Sequence, residues 1–306
     1  MKTSLKKQFP FLLMLLPGVF VLIINNYIPM IGVVMAFERY RFKDNFITSL
    51  LTSEFVGFQN FEFLFKTPNA ATATFNTVFY NLIFIALGLI VPVMLAIALN
   101  EVKKKFLGKL YQSLIFLPYF LSWIVVSYLA YSFFSSERGF INTAILTPLG
   151  LDTINWYFEP KYWRVILIFF WLWKYTGYNM VVYLAAIAGI DGEYYEAASI
   201  DGATKWQSII HITIPLLRPL MIILTLLAVG RIFNADFGLF YNVPKNMGTL
   251  YEVTDVIDTL VFRSLRNMNN VGMSSAAGLY QAVLGCITIF TVNLIVRKID
   301  KDKALF

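Results

Sequence analysis

Four long stretches of this chain contain no charged side chain: those between Lys7 and Glu38, Lys66 and Glu101, Lys109 and Glu137, and Arg266 and Arg297. About 20 apolar residues, at 1.5 Å rise each, cross a hydrocarbon core of roughly 30 Å as a helix. Each stretch therefore holds one membrane span, near residues 11–37, 77–99, 110–134 and 276–296. Two further apolar segments, 163–190 and 219–241, are long enough but contain charges. That makes six spans. The composition agrees, because 58% of residues are hydrophobic and 14% charged, against about 45–50% and about 25% in soluble chains. The two soluble domains that the length alone suggests are set aside. The expected fold is an all-α membrane protein, residues 1–306 forming a single transmembrane domain.

The same composition removes several functions. A single cysteine, Cys286, and a single histidine, His211, leave no disulfide framework, no multi-cysteine or histidine metal site and no histidine-based hydrolase triad. No catalytic or metal-binding residues are expected. The net charge of +7 comes from positives that flank apolar runs rather than from a basic face, so nucleic acid is not an expected partner. A phosphate loop of the Gly-x-x-x-x-Gly-Lys-Ser/Thr type is missing, so the chain does not hydrolyse ATP by that chemistry.

Charge placement reports topology. The first apolar run is far longer than the 7–15 residues of a signal-peptide core, and it reads as an uncleaved span. With the N-terminus inside, Lys2, Lys6, Lys7, Lys103, Lys104, Lys105, Lys109, Lys205, Arg218, Arg297, Lys298, Lys301 and Lys303 fall on the short inner segments. Fewer positives fall on the longer outer ones, which places both termini in the cytoplasm. Segments 38–76, 135–162 and 242–275 are then external. Their aromatics, such as Phe58, Phe61, Trp156 and Tyr157, suit short interfacial helices. Asn25, Asn26, Pro29 and Pro92 are expected to bend spans or to bond within the bundle. Ser274 and Gly278 have the spacing of a close helix approach. Cys286 reads as a packing residue and His211 as a surface residue.

The longest inner segment, 191–218, is polar without being rich in Gly, Pro or Ser, and should be folded. Glu196-Ala197-Ala198 suits a helix that Gly202 can end. A second helix follows from Trp206, with Ile209, Ile210 and Ile214 spaced for one face, and Pro215 and Pro219 mark the start of the next span. A helix-turn-helix with a small-residue corner fits a partner's groove; the alternative is a solvated amphipathic loop.

At these residues the sequence resembles a family. Glu196-Ala197-Ala198, then Gly202 after three residues, then Ile212 and Pro215, look like the EAA loop of permease subunits of binding-protein-dependent ABC importers. Ile214 stands where Leu is commoner in that family, and Ile209 where Phe is. The resemblance implies a type I importer transmembrane domain in a bacterial cytoplasmic membrane. It implies a second homologous permease, two ATPase subunits that use ATP and Mg, and an extracytoplasmic solute-binding protein. It gives Glu196, Ala197, Ala198, Asp201, Gly202 and Trp206 the docking surface for the ATPase. Tyr27-Ile28-Pro29-Met30-Ile31-Gly32 with Ala36-Phe37, Val56-Gly57-Phe58-Gln59-Asn60-Phe61 and Gly272-Met-Ser-Ser-Ala276-Ala277-Gly278 resemble the polysaccharide and oligosaccharide members with a maltose-importer-like core.

Two cations remain inside spans. Lys174 lies 11 residues inward from Trp163, about 16 Å, and Arg231 lies 12 residues outward from Pro219, about 18 Å. Both fall near mid-membrane, where a charge normally faces a wet cavity or a bundle interior. On a continuous helix Asp236 is about 140° round from Arg231, an awkward partner. A substrate carboxylate would serve both cations. The expectation is an acidic, uronate-containing oligosaccharide bound by Lys174 and Arg231, with Trp171, Trp173 or Tyr178 stacking on sugar rings and Asn179, Asn234 and Asp236 nearby. The alternative is that either cation pairs with a carboxylate or a backbone carbonyl within the protein, or snorkels to an interface.

Overall fold

In the computed structural model, which describes residues 5–299, the apolar runs become helices. The first spans Leu5–Leu22 and then changes pitch, through a π turn at Ile23–Tyr27, one α turn at Ile28–Met30 and a 3-10 stretch at Ile31–Phe37. The side-chain amides of Asn25 and Asn26 donate to the carbonyls of Val21 and Leu22 (3.0 and 3.3 Å). Pro29 lacks an N–H, so the ladder loosens at these residues. The second, fourth and sixth spans are Pro68–Asn100, Pro160–Ala188 and Val271–Ile299. Each starts before its apolar run does. The extra turns of the second are held by packing rather than by lipid: Ala70, Ala73 and Asn76 are buried, and Asn76 donates to the carbonyls of Glu252 and Asp255 (3.0 and 2.9 Å).

Two expected spans are not continuous. Residues 110–134 divide into a helix at Lys105–Phe116 with a 3-10 turn at Leu117–Phe120, and a second helix at Trp123–Phe134 bent by 99° from the first. Pro118 interrupts the ladder, and Ser122 caps the new helix by accepting from the Val125 N–H (3.3 Å). The fifth span is helical over Ile214–Val229, unwinds, and resumes at Phe237–Asn242, where Asp236 is the N-cap. At its other end it does not begin at the prolines. The helix is continuous over Lys205–Val229, with a π turn at Ile209–Thr213 just before Pro215. The wider turn makes room for a ring that a regular turn would clash with.

By contact the chain divides into two units. One comprises the described residues up to Thr67 together with Val261–Tyr280. Here β1 (Glu38–Arg39) pairs antiparallel with β2 (Glu54–Phe55), Glu38 facing Phe55. Between the strands lies a helix at Phe46–Thr52, capped by Asn45, which accepts from the Thr48 N–H (2.8 Å). Phe58 and Phe61 close around Phe37, with centroids 5.6 and 5.4 Å away. The Asn60 amide donates to the carbonyls of Ala36 and Glu38 (3.0 and 2.8 Å) and lies against Gly272.

The second unit comprises Pro68–Leu260 and the described residues from Gln281 onward. The second and fourth spans pack along each other. One core gathers Tyr80, Trp163, Leu167, Phe170, Leu239 and Phe240, and another Val93, Ala96, Met180, Ile187 and Leu217. Gly177 lets the fourth span approach the Lys105–Phe116 helix so closely that a Cβ would collide with the Ile115 carbonyl. Trp156 and Tyr157, read from sequence as interfacial, are buried instead. The Asn142 carboxamide oxygen accepts from Trp156 Nε1 (3.0 Å) and the Ile154 N–H (3.2 Å), which folds the 135–158 stretch inward. Burial raises the pKa of the Tyr157 hydroxyl. Cys286, expected to pack, is exposed on the sixth span.

A Cβ on Gly272 would stand 2.6 Å from Asn60 Nδ2. Gly272→Ala should therefore cost about 1–3 kcal/mol, read as a lower melting temperature of the detergent-solubilised protein, whereas Gly278→Ala, which has open space, should leave it unchanged.

Candidate functional site: a cavity between two broken spans

The second unit holds a cavity of about 570 Å³. Its walls come from the second span (Asn81, Phe84, Gly88), the fourth (Trp171, Tyr175, Tyr178, Asn179), Tyr119 at the bend of the third, and Thr225, Arg231, Asn234 and Asp236 of the broken fifth. Both breaks border the cavity, and their backbone polar groups need partners where lipid offers none.

Distant side chains supply them. At the fifth-span break, the Asn81 amide donates to the carbonyls of Ile232 (2.8 Å) and Asn234 (3.0 Å). Gln281 Nε2 donates to the Phe233 carbonyl (2.8 Å), and the Ala235 N–H donates to Asp258 Oδ2 (2.7 Å). Asp258, on the helix Ile257–Met268, also accepts from Gln281 (3.1 Å). Burial pushes its carboxyl above the ordinary range, and these two hydrogen bonds work against that rise. At the third-span bend, Lys174 Nζ donates to the carbonyls of Tyr119 (2.9 Å) and Leu121.

Of the residues singled out from sequence, Arg231, Trp171, Tyr178, Asn179, Asn234 and Asp236 line the cavity. Lys174 and Trp173 do not. Lys174 is only 6% exposed, its ammonium turned to the bend, and Trp173 packs against the apolar core. Arg231 is exposed and makes no ion pair among the described residues. The separation of about 140° between Arg231 and Asp236 holds only on a continuous helix, and the chain is unwound there. Asp236 instead accepts from Trp123 Nε1 (2.8 Å) and the Tyr175 hydroxyl (2.6 Å). Trp171 stacks on Phe84 at 4.3 Å and Tyr178 on Tyr119 at 4.7 Å. Gly88 leaves the Trp171 ring its place, since a Cβ would stand 2.9 Å from it. Asn81, Phe84, Gly88, Tyr119 and Tyr175 were not singled out from sequence. An asparagine inside an apolar run was the available signal for Asn81.

The 191–218 loop folds as a helix at Gly192–Ile200, a corner, and the start of the long helix at Lys205. Asp191 caps the first helix by accepting from the Glu193 N–H (3.0 Å). Gly202 takes a left-handed φ of +77°, and the Ala203 N–H donates back to the Ala198 carbonyl (2.9 Å). Thr204 and Gln207 form a capping box that starts the second helix. Glu196, Ala197, Asp201 and Gly202 are exposed, Ala198 is half-buried, and Ile200 and Trp206 are 87% and 69% exposed. Lys205 pairs with Glu101 at the end of the second span.

Among the described residues, five helices are long and apolar enough to cross a membrane, and six when the bent pair counts as one span. Apolar spans enclosing a polar and aromatic cavity are the arrangement of a multi-pass solute permease. Residues 88–301 match the family of binding-protein-dependent transport system inner membrane components, and the chain belongs to that family. It is 32% identical to protein LplB of Bacillus subtilis over 98% of this chain and 92% of that one. It is 31% identical to the polygalacturonan/rhamnogalacturonan transport system permease protein YteP of the same organism, over 95% and 88%. Among solved structures it resembles a chain of a bacterial alginate ABC transporter in complex with an alginate pentasaccharide-bound periplasmic protein, with a TM-score of 0.85 and 32% identity over 97% of each chain.

Asn81→Leu removes the donor that holds the Ile232 and Asn234 carbonyls, at about 1–3 kcal/mol. A lower melting temperature together with reduced uptake is expected; unchanged melting would contradict the role assigned to the amide.

Proposed function

We propose that this chain is a permease subunit of an ATP-driven importer that moves an acidic, uronate-containing oligosaccharide inward across a bacterial cytoplasmic membrane. The supporting observation is Arg231, an exposed guanidinium with no ion pair among the described residues, in a cavity that also carries Trp171, Tyr178 and Asn179. A guanidinium binds a carboxylate in bidentate fashion, and aromatic faces suit sugar rings. Asn234 and Asn179 offer hydrogen bonds to hydroxyls. Two similar proteins handle polyuronate-type substrates by name, YteP polygalacturonan and the alginate transporter an acidic polysaccharide.

In this reading the chain pairs with a second, homologous permease, and the sugar path lies between them. An external solute-binding protein delivers the sugar. Two ATPase subunits supply the energy with ATP and Mg, and this chain performs no catalytic step. Both termini face the cytoplasm, and the 191–218 loop presents Glu196, Ala197, Ala198, Asp201, Gly202 and Trp206 to an ATPase subunit. Closure of the ATPases moves that loop and opens the cavity outward.

Uptake into proteoliposomes holding the whole complex tests the sugar. Arg231→Gln should raise KM for an oligouronate about tenfold or more while leaving a neutral oligosaccharide nearly untouched; equal effects on both would sink the acidic reading. Gly202→Val forces a branched side chain into a left-handed corner. It should separate ATP turnover from uptake, and tight coupling in that variant would remove the loop from the pathway.

A further inference from the structure

We infer that Lys174 is a positioning residue that ties the bend of the third span to the break of the fifth, and is not a ligand of the sugar. Its ammonium donates to the carbonyls of Tyr119 and Leu121, the last groups before the chain turns into the Trp123–Phe134 helix. The rings of Trp123 and Tyr119 lie 5.3 and 5.8 Å from Nζ. With carbonyls and aromatic faces around it and 6% of its surface exposed, the cation is already solvated by the protein.

The contacts continue to the other break. Trp123, held beside Lys174, donates through Nε1 to Asp236, and Tyr175, the next residue on the fourth span, donates to the same carboxylate oxygen. Asp236 in turn caps the Phe237–Asn242 helix. Gly238 in that helix is bare where Trp123 sits, and a Cβ there would collide with the indole. A buried cation near the ring and a carboxylate at Nε1 therefore share one indole, each fixed to a different broken span. The effect on the cavity passes through Tyr119, whose carbonyl Lys174 holds and whose ring stacks on Tyr178 in the wall.

This inference rests on the cavity being the sugar path, and a failure of that reading would register in Arg231→Gln rather than in the variants below. In the reconstituted complex, Lys174→Met should lower the maximal uptake rate roughly tenfold for acidic and neutral oligosaccharides alike, with KM changed by less than about twofold. Lys174→Arg, which retains charge and donors, should recover a substantial part of the rate. A selective rise in KM for the acidic sugar in Lys174→Met, at unchanged maximal rate, would make Lys174 a substrate ligand and overturn the inference. If Lys174→Met does not assemble, Trp123→Phe decides. It retains a ring and removes the donor to Asp236, and should lower the rate for both sugars without changing KM. An unchanged rate in Trp123→Phe would overturn the inference.

Discussion

Backbone N–H and C=O groups inside a bilayer have no water to bond with, and this single constraint governs the structure of the second unit. A continuous helix meets it without help. A chain that leaves the helix must bring donors and acceptors from elsewhere, and here it does so at two places. Asn81, Gln281 and Asp258 serve the break at 230–236, and Lys174 serves the bend at 117–122. The cavity lies where these breaks meet the second and fourth spans, because only there can irregular backbone face something other than lipid. One of these donors, Asn81, is itself part of the cavity wall.

The same constraint separates two cations that look equivalent by depth. Residue counting puts Lys174 and Arg231 at a similar depth, yet their surroundings differ in kind. Lys174 is enclosed by carbonyls and rings, so its charge is spent on the protein. Arg231 sits on the unwound segment itself, facing open space. Unwinding leaves this residue lining the cavity.

Much of the architecture was legible in the sequence. Uncharged runs located the spans, and Gly202 marked the corner of the loop at 191–218, whereas its caps, Asp191 and Thr204, emerged only in the structure. The breaks were harder to read. Pro118 and Ser122 stand at one, Gly230 and Asp236 at the other, but hydropathy over a span-length window averages across a few unwound residues. What makes an unwound turn tolerable is a partner about 150 positions away, as with Asn81 and Ile232, and no local pattern carries that. The Lys174 environment failed to show for the same reason. The carbonyls it holds are freed only because the third span bends. Helix starts were misplaced in the other direction, since Pro68 and Pro160 begin turns that packing stabilises and hydropathy does not register.

The helix from Lys205 to Val229 crosses the boundary that sequence drew between loop and span. Its 25 residues measure about 37 Å, and Pro215 is absorbed by a π turn rather than by a hinge. One end begins beside the exposed Trp206, and the other ends one residue before the Gly230 turn that presents Arg231. The corner and the cavity wall are therefore opposite ends of one push-rod. In the importer proposed here, a displacement of the corner would travel along this helix towards the unwound turn at the cavity.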